Sequence, residues 1–282
     1  MTKGKCFALT ALAMVAFAGN SLLCRVALRE TTIDAATFTL IRIGSGAVCL
    51  WIIVQIRKGK LRQAGSWPSA LALFGYAALF SFAYLRLTAG TGALLLFGAV
   101  QATMILWALR KGERLRLAQI AGLLLALAGL VTLVLPGLTA PPLGAALLML
   151  GAGIAWGIYS LRGKEAGDPL RATAGNFLRA MPMAALLSLV MLRSANFDRA
   201  GVCYALASGA LASGIGYAIW YTALPALKAS GAATVQLSVP VLAAAGGIAF
   251  LGEQLTLRFV IASAAVLGGI ALVILERRAA AS

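Results

Sequence analysis

The chain carries one long apolar unit twice, and the two copies differ in where their charges fall. From Thr91 it reads TGALLLFGAVQATMILWALRKGERLRLAQIAGLLLALAGLVTLV, and from Gly231 it reads GAATVQLSVPVLAAAGGIAFLGEQLTLRFVIASAAVLGGIALVIL. Gly112-Glu113 aligns with Gly252-Glu253, Leu115 with Leu255, Leu117 with Leu257 and Gly129 with Gly269. Arg110, Lys111, Arg114 and Arg116 of the first copy face Phe250, Leu251, Gln254 and Thr256 of the second. Loops that collect Lys and Arg lie on the cytoplasmic side of a membrane, so the loss of these cations puts the matching loops on opposite sides. A duplicated unit inserted upside down constrains the chain to a small set of membrane architectures.

Composition narrows the choice further. The 282 residues are 61% hydrophobic, with a mean hydropathy of +0.94. No soluble domain buries that much apolar surface. The net charge of +16 sits in short runs between apolar segments, which is an orientation signal and not a nucleic-acid footprint. Cys6, Cys24, Cys49 and Cys203 form no CxxC pair and read as small buried hydrophobes. Histidine is absent from the sequence, and with it the commonest metal ligand and proton shuttle. Lys3 and Lys5 before an apolar run ending near Ala16-Phe17-Ala18 mimic a cleavable leader. The same stretch matches a later span, Phe17 onto Trp156 and Ser21 onto Ser160, so it is expected to be a retained first helix.

A bilayer core takes roughly 20 apolar residues per helix, and ten segments qualify. They run Cys6–Leu28, Ala36–Ile56, Pro68–Thr88, Ala89–Trp107, Leu117–Leu135, Leu143–Leu161, Ala172–Leu192, Ala200–Leu224, Ala226–Leu251 and Phe259–Leu275. The expected fold is an all-α membrane protein of ten transmembrane helices, two inverted five-helix repeats around a central cavity. The first repeat covers 1–138 and the second, inverted one 139–282, joined through the PGLTAPP stretch. An odd number of spans per half is what inverts the second. With the N-terminus inside, cytoplasmic segments hold Lys3, Lys5, Arg57, Lys58, Lys60, Arg62, Arg110, Lys111, Arg114, Arg116, Arg162, Lys164, Arg171, Lys228, Arg277 and Arg278. The outer side keeps Arg25, Arg29, Arg86, Arg193, Arg199 and Arg258. Trp51, Trp67 and Trp107 fall at inner ends of spans, as an interfacial belt requires. Both termini are then cytoplasmic in a multi-pass inner membrane protein.

No acidic residue lies deep in any span, so the proton relays of many pumps are missing and facilitated flux down a gradient is expected. The same absence argues against an intramembrane hydrolase, and no catalytic residue, metal or cofactor is expected. Arg42 and Arg179 lie at matching positions of the second and seventh spans. Each is one to two turns from a span end, so snorkelling or capping a neighbouring helix is the expected role, with attraction of a substrate carboxylate as the alternative. Neutral polar residues interrupt other spans: Asn20, Gln101, Thr234, Gln236 and Ser238. Pro240 and Pro182 remove helix hydrogen bonds at Gln236 and Leu178, marking a packing kink or a hinge. Tyr76, Phe80 and Tyr84 recur every fourth residue, as do Ser213, Tyr217 and Tyr221 beside Trp220, and Trp156 and Tyr159 join from the sixth span. Such faces pack helices or wall a pocket for a small amphipathic solute. Gly153, Gly157 and Gly246-Gly247 allow helices to approach closely.

PVLAAAGGIAFLGEQLT from Pro240 resembles the proline-to-Gly-Glu signature of EamA-type members of the drug/metabolite transporter superfamily. AGNSLLCRVAL from Ala18, TLIRI from Thr39, and the AYLRLT and WYTALPALKASGAA stretches are similar to the same family, so the likeness covers essentially the whole chain. It implies a 5+5 inverted-repeat carrier with a cavity framed by spans one, three, four, six, eight and nine. It therefore implies Asn20, Tyr84, Gln101, Trp156, Tyr159, Tyr217, Trp220, Tyr221, Gln236 and Ser238 as cavity candidates, and the ring-rich faces resemble the aromatic amino acid exporters among its members. Phe17 stands where members often carry Trp, and Val100 stands opposite Pro240 in the repeat, so the two gates need not bend alike. The expected activity is export of small metabolites, amino acids first, by alternating access. The expected partners are a small-molecule substrate and the bilayer, with the monomer as working unit and no nucleic acid. A multidrug or other exporter coupled to an ion gradient is the rival, and a membrane enzyme or receptor the rival of another class.

Overall fold

The computed structural model of the chain describes residues 2–58, 64–112, 116–135, 137, 140–163, 166–227 and 235–279, with side chains to residue 273. Lys60, Arg62, Glu113, Arg114, Leu115, Lys164, Lys228, Thr234 and the side chains of Arg277 and Arg278 lie outside the described residues. The described residues are helical with short connections and no strand. The helices are α1 (Lys3–Glu30), α2 (Ala35–Ile56), α3 (Trp67–Tyr84), α4 (Ala89–Arg110) and α5 (Leu117–Val134), then α6 (Leu143–Gly163), α7 (Pro169–Val190), α8 (Arg199–Ala226), α9 (Ser238–Leu251) and α10 (Leu257–Ala279). The first eight are each long and apolar enough to cross a bilayer, and α9 and α10 are apolar over Ser238–Leu251 and Leu257–Val273. Below, the face where α1 begins is the near face and the one where it ends is the far face.

Helix ends follow local chemistry. Asp34 caps α2 by accepting from the Ala36 and Thr37 N–H groups, both at 2.9 Å. Ser66, Thr88, Asp168 and Asp198 cap α3, α4, α7 and α8 in the same way. Gly112 (φ +88°) and Gly252 (φ +60°), equivalent in the repeat, both sit in the left-handed region just past α4 and α9, where glycine ends a helix without strain. One expected boundary moves. α3 stops at Tyr84 and not at Thr88, because residues 85–88 form the turn into α4. In the ninth span, whose residues 228–234 lie outside the described residues, Val235 and Gln236 are helical, Leu237 is a turn and α9 runs on from Ser238. Pro240 follows the interruption at Leu237, where its ring and missing N–H disfavour a regular bond to Gln236.

The two sets of five helices pack reciprocally. α1 lies against α8 and α9, α6 lies against α3 and α4, α2 crosses α7, and α5 crosses α10. The first helix of each half thus fills a groove of the other, as a pseudo-twofold pair of inverted repeats demands. α5 and α10 meet backbone to backbone, since a Cβ on Gly122 would lie 2.6 Å from the Gly269 carbonyl oxygen. Gly153 and Gly157 bring α6 equally close to α4 at Leu96 and Thr103. Large apolar side chains point away from the bundle, among them Leu124 and Val131 on α5 and Leu186, Leu189 and Val190 on α7. An exposed apolar surface of that extent is lipid-facing.

Central cavity and far-face latch

Aromatic side chains from five helices meet at the centre. The Trp156 ring of α6 stacks on Tyr217 of α8 at 5.4 Å (21° between planes) and on Tyr159 at 5.3 Å (29°). Tyr76 of α3 tilts onto Trp156 at 4.8 Å, Phe17 of α1 packs on Tyr217 and Trp220 at 5.8 and 6.0 Å, and Phe177 of α7 closes on Tyr217. Four of these rings bound a small cavity whose lining includes Phe17, Asn20, Tyr76, Trp156, Ser213, Tyr217 and Gln236. Its volume of about 30 Å³ holds roughly one water, so this conformation is contracted around the site.

Polar groups at the cavity are few and neutral. The Asn20 amide nitrogen donates to the Tyr76 hydroxyl at 3.2 Å, and Ser208 donates to the Asn20 carbonyl oxygen at 2.7 Å. Ser208 and Ser213 belong to a π-helical segment of α8, Ala207–Ile215. Such segments interrupt regular turns and are frequent at functional sites. Directly behind two of the cavity's lining rings, Tyr76 and Phe80, lies Arg42, which is only 2% exposed. Its Nη2 donates to the Tyr76 hydroxyl at 2.9 Å, and its guanidinium carbon lies 5.1 Å from the Tyr76 ring centre and 4.8 Å from that of Phe80. Arg42 does not snorkel: α2 is held between α3, α7 and α8, so the shortest course for its side chain is inward against rings.

Nearer the near face, Asn176 donates to the Tyr159 hydroxyl (3.5 Å), Tyr159 to Thr173 (3.1 Å) and Thr173 to Tyr221 (3.4 Å). Arg179 also serves that side: it donates to the carbonyls of Ala64 and Gly175, tying the chain entering α3 to α7.

At the far face, Glu253 accepts from the Ala89 N–H at the start of α4 at 2.9 and 3.0 Å and pairs with Arg25 at 3.5 Å. Arg25 in turn donates to the Tyr84 carbonyl at the end of α3 (2.9 Å), and Arg29 donates to the Leu251 carbonyl (2.9 Å). One carboxylate and two guanidinium groups thus lock the α3–α4 turn to α1 and α9. A crevice of about 260 Å³ lined by Arg86, Thr88, Glu253, Gln254 and Thr256 lies at this latch. A larger recess of about 740 Å³ between α4, α5 and α6 is walled by exposed Leu, Ile and Val side chains and belongs to the lipid-facing surface.

The sequence candidates therefore separate. Asn20, Trp156, Tyr217 and Gln236 line the cavity. Tyr159 and Tyr221 form the hydroxyl chain on its near side, and Trp220 is buried behind Phe17. Tyr84 is at the latch, donating to the Ala89 carbonyl at 3.2 Å. Gln101 faces α5 and α10, among Gly122, Ala126 and Ile270, away from the cavity. Ser238 donates to the Val235 carbonyl at 2.7 Å and begins α9. Pro182 sits on the exposed side of an unbroken α7. Sequence reasoning missed Ser208, which no periodic stripe includes. It noted Tyr76, Phe80 and Ser213 in stripes without placing them at the site.

Known proteins agree with this architecture. The EamA-like transporter family matches the chain twice, over residues 4–135 and 143–275. An uncharacterized protein of Pseudomonas aeruginosa is 58% identical over 95% of this chain and 94% of its own length. Uncharacterized transporters of Archaeoglobus fulgidus and Bacillus subtilis are 27% and 24% identical over 87% and 83% of this chain, and over 89% and 85% of their own lengths. A solved crystal structure superposes with a TM-score of 0.70 over the whole of both chains at 20% identity, a likeness of fold. With both halves matched and ten helices among the described residues in reciprocal halves, the chain is a multi-pass membrane transporter of small molecules, not an enzyme, and belongs to the EamA-like transporter family.

Proposed function

We propose that this transporter exports amino acids, aromatic or other neutral ones, from the cytoplasm by alternating access across the inner membrane. The observation that supports it most is the cavity itself: stacked rings with a few neutral polar groups, under a far-face latch. Rings suit an apolar side chain, and amide and hydroxyl groups suit the polar ends of the solute. The near face is the cytoplasmic one in this reading, because it gathers the basic residues and both termini. Solute enters the cavity from there, the near side closes, and separation of Glu253 from Ala89 and Arg25 opens the far side. With no carboxylate lining the cavity, flux runs down the solute gradient without obligatory proton exchange. The monomer is the working unit and needs no cofactor.

Counterflow into liposomes containing the purified protein tests this reading across the amino acids, with and without a pH gradient. Uptake of an aromatic or other neutral amino acid, unchanged by the gradient, is expected. Indifference to every amino acid rejects the substrate class, and dependence on the gradient rejects facilitated flux. Gln236→Ala and Tyr217→Ala lower flux by about tenfold with the fold retained, and wild-type rates in both remove these residues from the pocket.

A further inference from the structure

We infer that the central site takes a solute through its carboxylate, and that Arg42 supplies the charge that selects it. This rests on the reading that solute occupies the cavity, and it assigns the chemical class. Three hydrogen-bond donors, two at the cavity wall and one directly behind it, have no acceptor among the described residues. The first is Nη1 of Arg42, buried and without a partner. The second is the hydroxyl proton of Tyr76, whose oxygen already accepts from Asn20 and Arg42. The third is the hydroxyl of Ser213, also buried and unpartnered. Tyr76 and Ser213 both line the cavity, and the guanidinium rests on two of its rings, Tyr76 and Phe80.

A guanidinium at 2% exposure that lacks a counter-ion is costly and is retained where something completes it. No carboxylate of the described residues pairs with Arg42. Glu253 is held by the half-buried Arg25 and the α4 N-terminus. The two rings beneath Arg42 stabilise its charge by cation–π attraction but accept no hydrogen bond from Nη1 in the plane of the guanidinium. A carboxylate has the lone pairs to accept from all three donors and the charge to neutralise the cation. A cationic solute meets the same group as repulsion, and an uncharged amide carries a single oxygen where a carboxylate presents two.

The test is uptake into liposomes by the purified full-length protein of four matched probes: L-phenylalanine, L-phenylalaninamide, 3-phenylpropionate and 3-phenylpropionamide, with the other amino acids and their amides beside them. Each carboxylate that is taken up should exceed its amide by about thirtyfold or more. In Arg42→Gln that ratio should fall to near unity, and Arg42→Lys should restore part of it, which a merely structural role for Arg42 does not predict. Amides moved as fast as acids by the wild type overturn the inference without recourse to any variant. So does an unchanged acid-to-amide ratio in a folded Arg42→Gln, or failure of every carboxylate. Uptake of 3-phenylpropionate without any amino acid leaves the carboxylate site standing and removes the amino acid reading, so the two fail separately.

Discussion

Arg42 and Arg179 hold matching places in the two halves and have opposite fates. Arg179 finds backbone carbonyls, those of Ala64 and Gly175, and fastens the approach to α3 against α7. Arg42 has one hydroxyl, two rings and an unpartnered nitrogen. A duplicated unit supplies the same residue twice, but only one copy abuts the ring cluster. The lesson is that inverted repeats share a fold while dividing labour: one cation serves packing, and the other is left to complete itself with solute. Arg25 sharpens the contrast, since it is half-buried and carries its own carboxylate, Glu253.

These three cations order the expected effects. Glu253→Gln removes the counter-ion of Arg25 and weakens the tie to α4, so thermal unfolding in detergent should show a loss of about 3 kcal/mol. Arg25→Gln combined with it should recover part of that loss, and strict additivity would dissolve the latch as a unit. Arg179→Gln frees two carbonyls and should cost about 1–3 kcal/mol. Arg42→Gln goes the other way: removing an uncompensated buried charge should leave the melting temperature unchanged or raised. A marked drop would make Arg42 a packing residue like its twin.

The smallest effect lies outside the membrane, at Asp34. Burial pushes its carboxyl up, but hydrogen bonds from Thr37, the Asn196 N–H and the Ala36 N–H outweigh that and hold it below the ordinary carboxylate value. A depressed folded value stabilises the protein above the unfolded one and loses that contribution as pH falls through the folded one. Asp34→Asn gives up the charge that strengthens these hydrogen bonds and should therefore cost about 1 kcal/mol at neutral pH, with the difference from wild type shrinking as pH falls from about 4 through the lower folded value. A difference that persists at acid pH contradicts the assignment.

The ten helices and their reciprocal halves were legible because hydropathy over a span and the swing of Arg and Lys between loops are large, additive signals. Gly112 and Gly252 were legible as a pair for the same reason, being aligned in the repeat. The site was legible only in part. Asn20, Trp156, Tyr217 and Gln236 are polar or aromatic in apolar spans and do line the cavity, but so is Gln101, which faces α5 instead. Which side of α4 turns inward depends on how α6 seats against it, a long-range fact. Ser208 was hidden because the π segment of α8 breaks the period on which a stripe is read. Arg42 and Arg179 were indistinguishable because the difference lies in their neighbours: the chain at Ala64 for one, Tyr76 and Phe80 for the other.

The most direct measurement is uptake per folded molecule in liposomes of a carboxylate that the wild type transports, with Arg42→Gln and Arg179→Gln measured side by side. Loss of uptake in Arg42→Gln, with Arg179→Gln matching wild type, is the predicted result. Equal losses in the two variants, or none in Arg42→Gln, would contradict the division of labour between the two halves.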